Sequence, residues 1–116
     1  MKVIVAGGRD FEDYELLCNK LDIILQNVKD VEIVCGMAKG ADTLGLMYAR
    51  ERDLPVKEFP PKYPIYGPRL APIIRNKHMA KYADALVLFW DGVSRGSKNM
   101  KMQAEEQDLK IRVIRY

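Results

Sequence analysis

The stretch Val3-Ile4-Val5-Ala6-Gly7-Gly8-Arg9-Asp10 decides the fold, because it joins a short apolar run to a glycine turn and then to a helical pattern. The same order recurs twice along the chain. Ile33-Val34-Cys35 precedes a turn at residues 36–42, and Leu86-Val87-Leu88-Phe89-Trp90 precedes a turn at residues 91–97. Apolar runs of this kind are typical of strands that are buried on both faces of a parallel sheet.

Outward from these runs, strand and helix patterns alternate. Strands are predicted over residues 2–6, 31–35, 55–59, 85–90 and 111–115, and helices over residues 11–28, 41–52, 69–82 and 97–108. The proline-rich residues 60–68 predict an ordered surface loop that forms a wall or lid of a site. With right-handed crossovers, this alternation predicts an α/β fold, a single-domain Rossmann-like three-layer sandwich over residues 1–116 with a mostly parallel sheet of about five strands.

The composition and net charge of the chain indicate which kinds of binding partner are expected. The 116 residues include 19 Lys and Arg against 16 Asp and Glu, a net charge of +3. This is mild for a nucleic-acid-binding protein, so nucleic acid is less expected than a small ligand. No apolar run approaches the roughly 20 residues of a membrane helix, and no secretory pattern opens the chain. We therefore expect a cytoplasmic location, no membrane partner, and Cys18 and Cys35 as buried free thiols.

The three turns favour a phosphorylated ligand, because such turns gather at the carboxyl edge of a parallel sheet, where ligands bind. Glycine lets backbone amides approach an anion, and the following helix N-terminus adds positive charge. In the first turn, Gly7, Gly8 and Arg9 suit a phosphate. Asp10 is expected to cap a helix that starts near Phe11, with or without a ligand role. The turn lacks the GxGxxG dinucleotide fingerprint.

The second and third turns leave alternatives open. Residues 36–42 lack the Lys-Ser/Thr pair of a Walker A loop, but a backbone nest for an anion remains. Asp42 is expected to cap the second helix and is a candidate for hydrogen bonds from a ribose, whereas Lys39 is more often solvated. In the third turn, Ser94, Gly96 and Ser97 suit phosphate, or form an ordinary surface loop.

The third helical segment, residues 69–82, and the aromatic residues are more ambiguous. Leu70, Ile73, Ile74, Lys77 and Ala80 predict the packed face of that helix, and Arg75-Asn76-Lys77-His78 alone predicts a solvated face. His78 is the single histidine, and with no second ligand nearby it indicates neither a metal site nor a catalytic base. Trp90 is expected in the core. Tyr63 and Tyr66 are left open between the core and stacking on a base.

Four segments in this order resemble the SLOG superfamily of Rossmann-like domains, and most closely its YspA-like branch. They are VAGGRDF at 5–11, CGMAKGAD at 35–42, RNKHM at 75–79 and VLFWDGVSRGSKNM at 87–100. The resemblance implies a pocket for a nucleotide or a nucleotide-derived ligand, and by family analogy a homodimer. The predicted site has no catalytic residue, metal or cofactor, and its ligand-binding residues are Gly7, Gly8, Arg9, Asp10, Gly36, Lys39, Gly40, Asp42, Arg75, Asn76, Ser94, Gly96 and Ser97.

The same superfamily supplies two alternatives to a non-catalytic sensor or binding protein. LOG-type phosphoribohydrolases cleave nucleoside monophosphates with a PGGxGTxxE turn, and aligned on Gly96 and Ser97 the glutamate falls at Met100. A thioether cannot take up a proton or stabilise an oxocarbenium ion as that carboxylate can. A hydrolase would therefore need an atypical acid such as Asp42 or Asp91. Smf-like members bind single-stranded DNA, which predicts a basic groove with interleaved aromatics.

Overall fold

The computed structural model describes residues 1–116. Five strands and four helices alternate along the chain, as the sequence predicted. The strands are β1 (Lys2–Gly7), β2 (Glu32–Cys35), β3 (Val56–Glu58), β4 (Ala85–Trp90) and β5 (Lys110–Arg115), and the helices are α1 (Tyr14–Leu25), α2 (Ala41–Glu51), α3 (Tyr63–Tyr82) and α4 (Arg95–Glu106). No helix has the length and apolar character needed to cross a membrane.

The five strands form one sheet in the order β3-β2-β1-β4-β5, and every neighbouring pair is parallel. The predicted Rossmann-like α/β class is therefore confirmed. β1 lies at the centre, with Val3 opposite Ile33 on one side and Ala85 on the other. The strand order reverses direction at β1, so the carboxyl ends of β1 and β4 flank the switch point where ligands bind in such sheets.

Alternation along the strands builds two apolar layers. Val3, Val5 and Phe89 point towards α1 and α2. Ile4 and Leu88, on the opposite face, pack under α3 and α4 with Met79 and Met100. Because both faces are covered, β1 and β4 are apolar along almost their whole length, which is the pattern that revealed them in the sequence.

The start of α1 differs from the prediction. The helix begins at Tyr14 and is capped by Asp13, whose Oδ1 accepts a hydrogen bond from the Leu16 amide at 3.0 Å. Phe11 belongs to the connection before the helix, because it is buried and stacks on Phe89 at a centroid distance of 4.9 Å. The prediction that Asp10 caps this helix was therefore wrong.

The start of α3 was also predicted wrongly, and its packed face was predicted only in part. The helix begins at Tyr63, within the predicted loop, because a proline at its first positions needs no amide partner. It kinks at Gly67, which has φ 79° and ψ 172°. Of the predicted face, Leu70, Ile73 and Lys77 are exposed and Ala80 is buried. The other buried side chains of the helix are Ala71, Asn76 and Met79.

Candidate functional site

A cleft of about 570 Å³ opens at the carboxyl edge of the sheet. The ends of β1 and β4, the starts of α2 and α4, and one face of α3 form its walls. Ten of the predicted ligand residues line it, namely Gly7, Gly8, Arg9, Asp10, Asp42, Arg75, Asn76, Ser94, Gly96 and Ser97. The fold thus brings residues from all three turns and from the third helical segment to one place.

The turn after β1 forms the floor of the cleft. A Cβ atom on Gly7 would overlap the carbonyl oxygen of Phe89, so only glycine lets β1 and β4 run this close together at their ends. The Gly8 amide then donates to the Phe89 carbonyl at 3.0 Å. Arg9 and Asp10 are exposed at the cleft. Asp10 accepts a hydrogen bond from the Tyr116 hydroxyl at 2.7 Å, so its carboxylate is tied to the end of β5.

The turn after β2 contributes less than predicted. Gly36, Lys39 and Gly40 do not line the cleft. Gly40 is needed by the backbone, because its φ is 77° and a Cβ atom would lie 2.7 Å from atoms of Arg9. Gly36 packs against the Arg75 side chain. Lys39 is exposed, in line with the solvated alternative of the sequence analysis.

Asp42 is the buried carboxyl group of the cleft. It is 5% exposed, and its Oδ2 accepts a hydrogen bond from the Ala38 amide at 3.3 Å. Gly40 occupies the N-cap position of α2, so Asp42 does not cap the helix as predicted but closes the loop in front of it. Burial raises the pKa of Asp42 to about 6, and the neighbouring Arg75 guanidinium opposes this rise. Asp42 therefore changes its charge close to neutral pH.

A chain of side-chain hydrogen bonds crosses the cleft from β2 to α4. Arg75 donates through one terminal nitrogen to the Gly36 carbonyl and through Nε to Asn76 Oδ1 at 2.9 Å. Asn76 in turn donates to Asn99 Oδ1 at 3.0 Å. Burial lowers the pKa of Arg75, and the Asp42 carboxylate opposes that effect. Since Asn99 accepts with its oxygen, its NH₂ group remains available to donate to a ligand.

The sequence pattern alone predicted a solvated face for residues 75–78, and this holds only in part. Arg75 and Asn76 turn towards the cleft, and Asn76 is 5% exposed. Lys77 and His78 are exposed. The ligand role that the resemblance implies for Arg75 and Asn76 stays a prediction.

The start of α4 lies at the cleft and has no side-chain cap. The first hydrogen bond of the helix runs from the Lys98 amide to the Ser94 carbonyl at 3.1 Å, so the amides of residues 95–97 have no acceptor within the helix. The Ser94 side chain makes no capping bond, and no acidic residue lies in the first turn. Ser97 is 4% exposed, and its hydroxyl has no hydrogen-bond partner.

Asp91 and Trp90, which precede the start of α4, are held by hydrogen bonds within the protein. Asp91 Oδ1 accepts hydrogen bonds from the Val93 and Ser94 amides, both at 2.8 Å, which holds the turn after β4. These bonds lower the pKa of Asp91. Trp90 is half-buried beside the second apolar layer and donates from its indole nitrogen to the Ser94 carbonyl at 3.1 Å. A Cβ atom on Gly96, by contrast, would meet no atom within 4 Å.

Sequence reasoning missed several residues of the cleft. Arg69, Pro72 and Ile73 share one face of α3 with Asn76, and helical spacing from Asn76 would have identified them once that face was known. Residues 60–68, predicted as a wall, do not line the cleft. The lining residues that were not predicted are Ala6, Ala38, Arg69, Pro72, Ile73, Met79, Asp91, Arg95, Asn99 and Met100.

The fold and the cleft define a parallel α/β domain with a polar site at the carboxyl edge of its sheet. A sequence model of the YspA, cpYpsA-related SLOG family matches residues 1–64, and the chain belongs to this family. The resemblance found in the sequence is thereby confirmed. None of the curated protein sequences compared with the chain matches it significantly.

The structure is similar to the X-ray structure of DNA processing protein A (DprA) from Streptococcus pneumoniae, with a TM-score of 0.78 at 17% sequence identity. The match covers 99% of this chain and 50% of that protein, so the chain spans half the length of this neighbour. At this level of identity the likeness concerns the fold.

Proposed function

We propose that the chain binds a small phosphorylated ligand, a nucleotide or a nucleotide derivative, in the cleft and does not turn it over. The observation that carries the proposal is the uncapped start of α4. Three helix amides without intrahelical acceptors meet there with the buried, unpartnered hydroxyl of Ser97. A phosphate would satisfy all of these donors at once, and the helix dipole favours its charge.

The charges of the cleft support the same ligand. Four arginines line it against three aspartates. Asp10 and Asp91 are held by hydrogen bonds from Tyr116 and from backbone amides, respectively. The guanidinium groups therefore outnumber the carboxylates around the cleft. Arg9 is exposed at the rim, where a fork of N–H groups suits a phosphate.

The side chains around the proposed phosphate position support binding without turnover. The resemblance aligns the hydrolase glutamate with Met100, which is 2% exposed and packs in the core beneath the cleft. The cleft carboxylates each accept a hydrogen bond from the protein. This arrangement supports a sensor or binding protein over a phosphoribohydrolase.

Thermal unfolding in the presence of ligands tests the proposal. The panel contains nucleoside mono- and diphosphates, ADP-ribose, dinucleotides, cyclic dinucleotides and, for the alternative, a single-stranded DNA oligonucleotide. A ligand at 100 times its Kd adds about 2.7 kcal/mol to the stability, which raises the Tm of a domain of this size by on the order of 10 °C. No shift with any phosphorylated ligand at millimolar concentration rejects the proposal, and a shift with the oligonucleotide alone favours DNA.

Arg9→Ala tests where the phosphate lies. A hydrogen bond to a charged group contributes about 1.5–3 kcal/mol, so the Kd should rise by roughly 10- to 150-fold. The Tm without ligand should stay unchanged, because Arg9 is exposed. Arg112→Ala, at an exposed arginine of β5 outside the cleft, is the matched control. Equal affinities for Arg9→Ala and wild type would show that the phosphate lies elsewhere.

A further inference from the structure

A second, smaller cavity of about 240 Å³ lies beyond the end of β3, on the other flank of α3. We call it the β3 pocket. The proposed phosphate position does not use it. Arg75 lines both the β3 pocket and the cleft, and no other residue does so. The two cavities therefore meet at one guanidinium group.

The walls of the β3 pocket are suited to a flat aromatic ring. Phe59 is held in place by an edge-to-face contact with Tyr82 at a centroid distance of 5.4 Å. Tyr66 lines the pocket from the first turn of α3 and is 39% exposed. Ala71 and Ile74 supply apolar surface between them. Aromatic side chains stack on nucleobases of any sequence.

The charges at the β3 pocket favour an anionic ligand. Lys57, Lys62 and Arg75 line it with a single carboxylate, that of Glu58. His78 adds an exposed imidazole at the rim. A neutral apolar compound would gain little from these cations. A base attached to phosphate groups would place its ring on the aromatic walls and its charge beside Arg75.

The distance between the two cavities restricts the length of such a ligand. The start of α4 follows β4, and the β3 pocket follows β3, with β1 and β2 between them in the sheet. Three interstrand spacings of about 4.8 Å separate these strand ends, about 14 Å in total. This is longer than the reach from base to phosphate in a nucleoside monophosphate. Arg75 lies between the two ends, where a second phosphate would pass.

We propose that the β3 pocket is the nucleobase subsite of a ligand that carries at least two phosphates, with its distal phosphate at the start of α4 and its phosphate chain beside Arg75. This inference rests on the proposed function. It adds the class of ligand, a nucleoside diphosphate or a larger nucleotide built on one, and it assigns Tyr66 as the stacking residue.

The test compares ligands with and without a base on variants of Tyr66. Isothermal titration calorimetry measures the Kd of the four ribonucleoside diphosphates, their monophosphates and inorganic pyrophosphate for wild type, Tyr66→Ala and Tyr66→Phe. Tyr66→Ala should weaken the preferred diphosphate by roughly 5- to 150-fold, because it removes one base–aromatic stack. It should leave pyrophosphate and the monophosphates unchanged, and Tyr66→Phe, which keeps the ring, should bind like wild type.

The outcomes separate the subsite from the proposed function. If wild type binds diphosphates and Tyr66→Ala binds them equally well, the base lies elsewhere and the subsite is rejected while the cleft stands. A loss of pyrophosphate binding in Tyr66→Ala also rejects the stacking role, because pyrophosphate has no ring. If wild type binds neither pyrophosphate nor any nucleotide, the proposed function and the subsite are rejected together. Leu70→Ala, at an exposed residue of α3 that lines neither cavity, is the control.

Discussion

Gly96→Ala should stabilise the protein and weaken its ligand at the same time. Gly96 is the second residue of α4, and a Cβ atom there would meet nothing within 4 Å. Glycine in a helix costs about 0.5–1 kcal/mol relative to alanine, and the lower value is expected in a first turn. The free energy of unfolding should rise by about 0.5 kcal/mol, which corresponds to an increase in Tm of about 2 °C.

The same methyl group should obstruct the phosphate. It would extend into the space that we assign to the ligand, above the free amides of α4. Inserting a methyl group into a packed site costs about 1–3 kcal/mol, which raises the Kd by roughly 5- to 150-fold. Thermal unfolding without ligand and calorimetry with the preferred nucleotide measure the two effects separately.

Gly45→Ala is the matched control. A Cβ atom on Gly45 would lie 2.8 Å from Val5 Cγ1, in the core between α2 and β1. This variant should lose stability, and at temperatures where it is folded it should bind like wild type. If Gly96→Ala binds as tightly as wild type, no phosphate lies against residue 96 and our reasoning about α4 fails. A fall in its Tm would show that residue 96 is packed.

Two further predictions concern Asp42 and turnover. The pKa of Asp42 is about 6 in the folded protein, against an ordinary value of 3.8. The folded state therefore binds this proton more tightly than the unfolded state does. As a result, the free energy of unfolding should fall as the pH rises from about 4 to about 6. Asp42→Asn lacks this titration. Between pH 4 and pH 7, its free energy of unfolding relative to wild type should therefore rise by up to about 3 kcal/mol, as measured by urea unfolding. A difference that does not depend on pH would contradict the burial argument. Long incubation with nucleoside monophosphates should release no free base by chromatography. Release that disappears in Asp42→Asn or Asp91→Asn would instead establish a hydrolase with an atypical acid.

The sheet could be predicted from the sequence because its signal is strong. The runs around Val5 and Leu88 are apolar at almost every position, and strands covered on both faces require this. Parallel order then follows from the helices between them. Sequence patterns locate the middle of an element better than its ends, as the shortened helix α1 shows.

The helix starts could not be predicted so well, because neighbouring residues offer equivalent signals. Asp10 and Asp13 both precede the apolar stripe of α1, and both are good caps. The choice depends on Phe11, which stacks on Phe89 in the core and so keeps the chain extended for two more residues. That contact joins residues far apart in the sequence.

The lining of the cleft could be predicted only in part, again because different structural roles give the same sequence signal. A glycine that admits a ligand and a glycine that admits the backbone look the same in a sequence. Gly96 faces open space, whereas Gly40 is required by its own φ and by the nearby Arg9. Arg69 joins the cleft only through the orientation of α3, which the low amphipathicity of that helix conceals.

The central position of β1 has a consequence for how the chain folds as it is made. The Lys2 amide donates to Asp84 at 2.8 Å, 82 residues away, and β1 pairs along its length with β4. During synthesis, β1 keeps one edge unpaired until residue 90 has left the ribosome. Strand edges left open in this way pair readily with other chains. We therefore expect slow refolding, and a growing chain that depends on chaperones until β4 arrives.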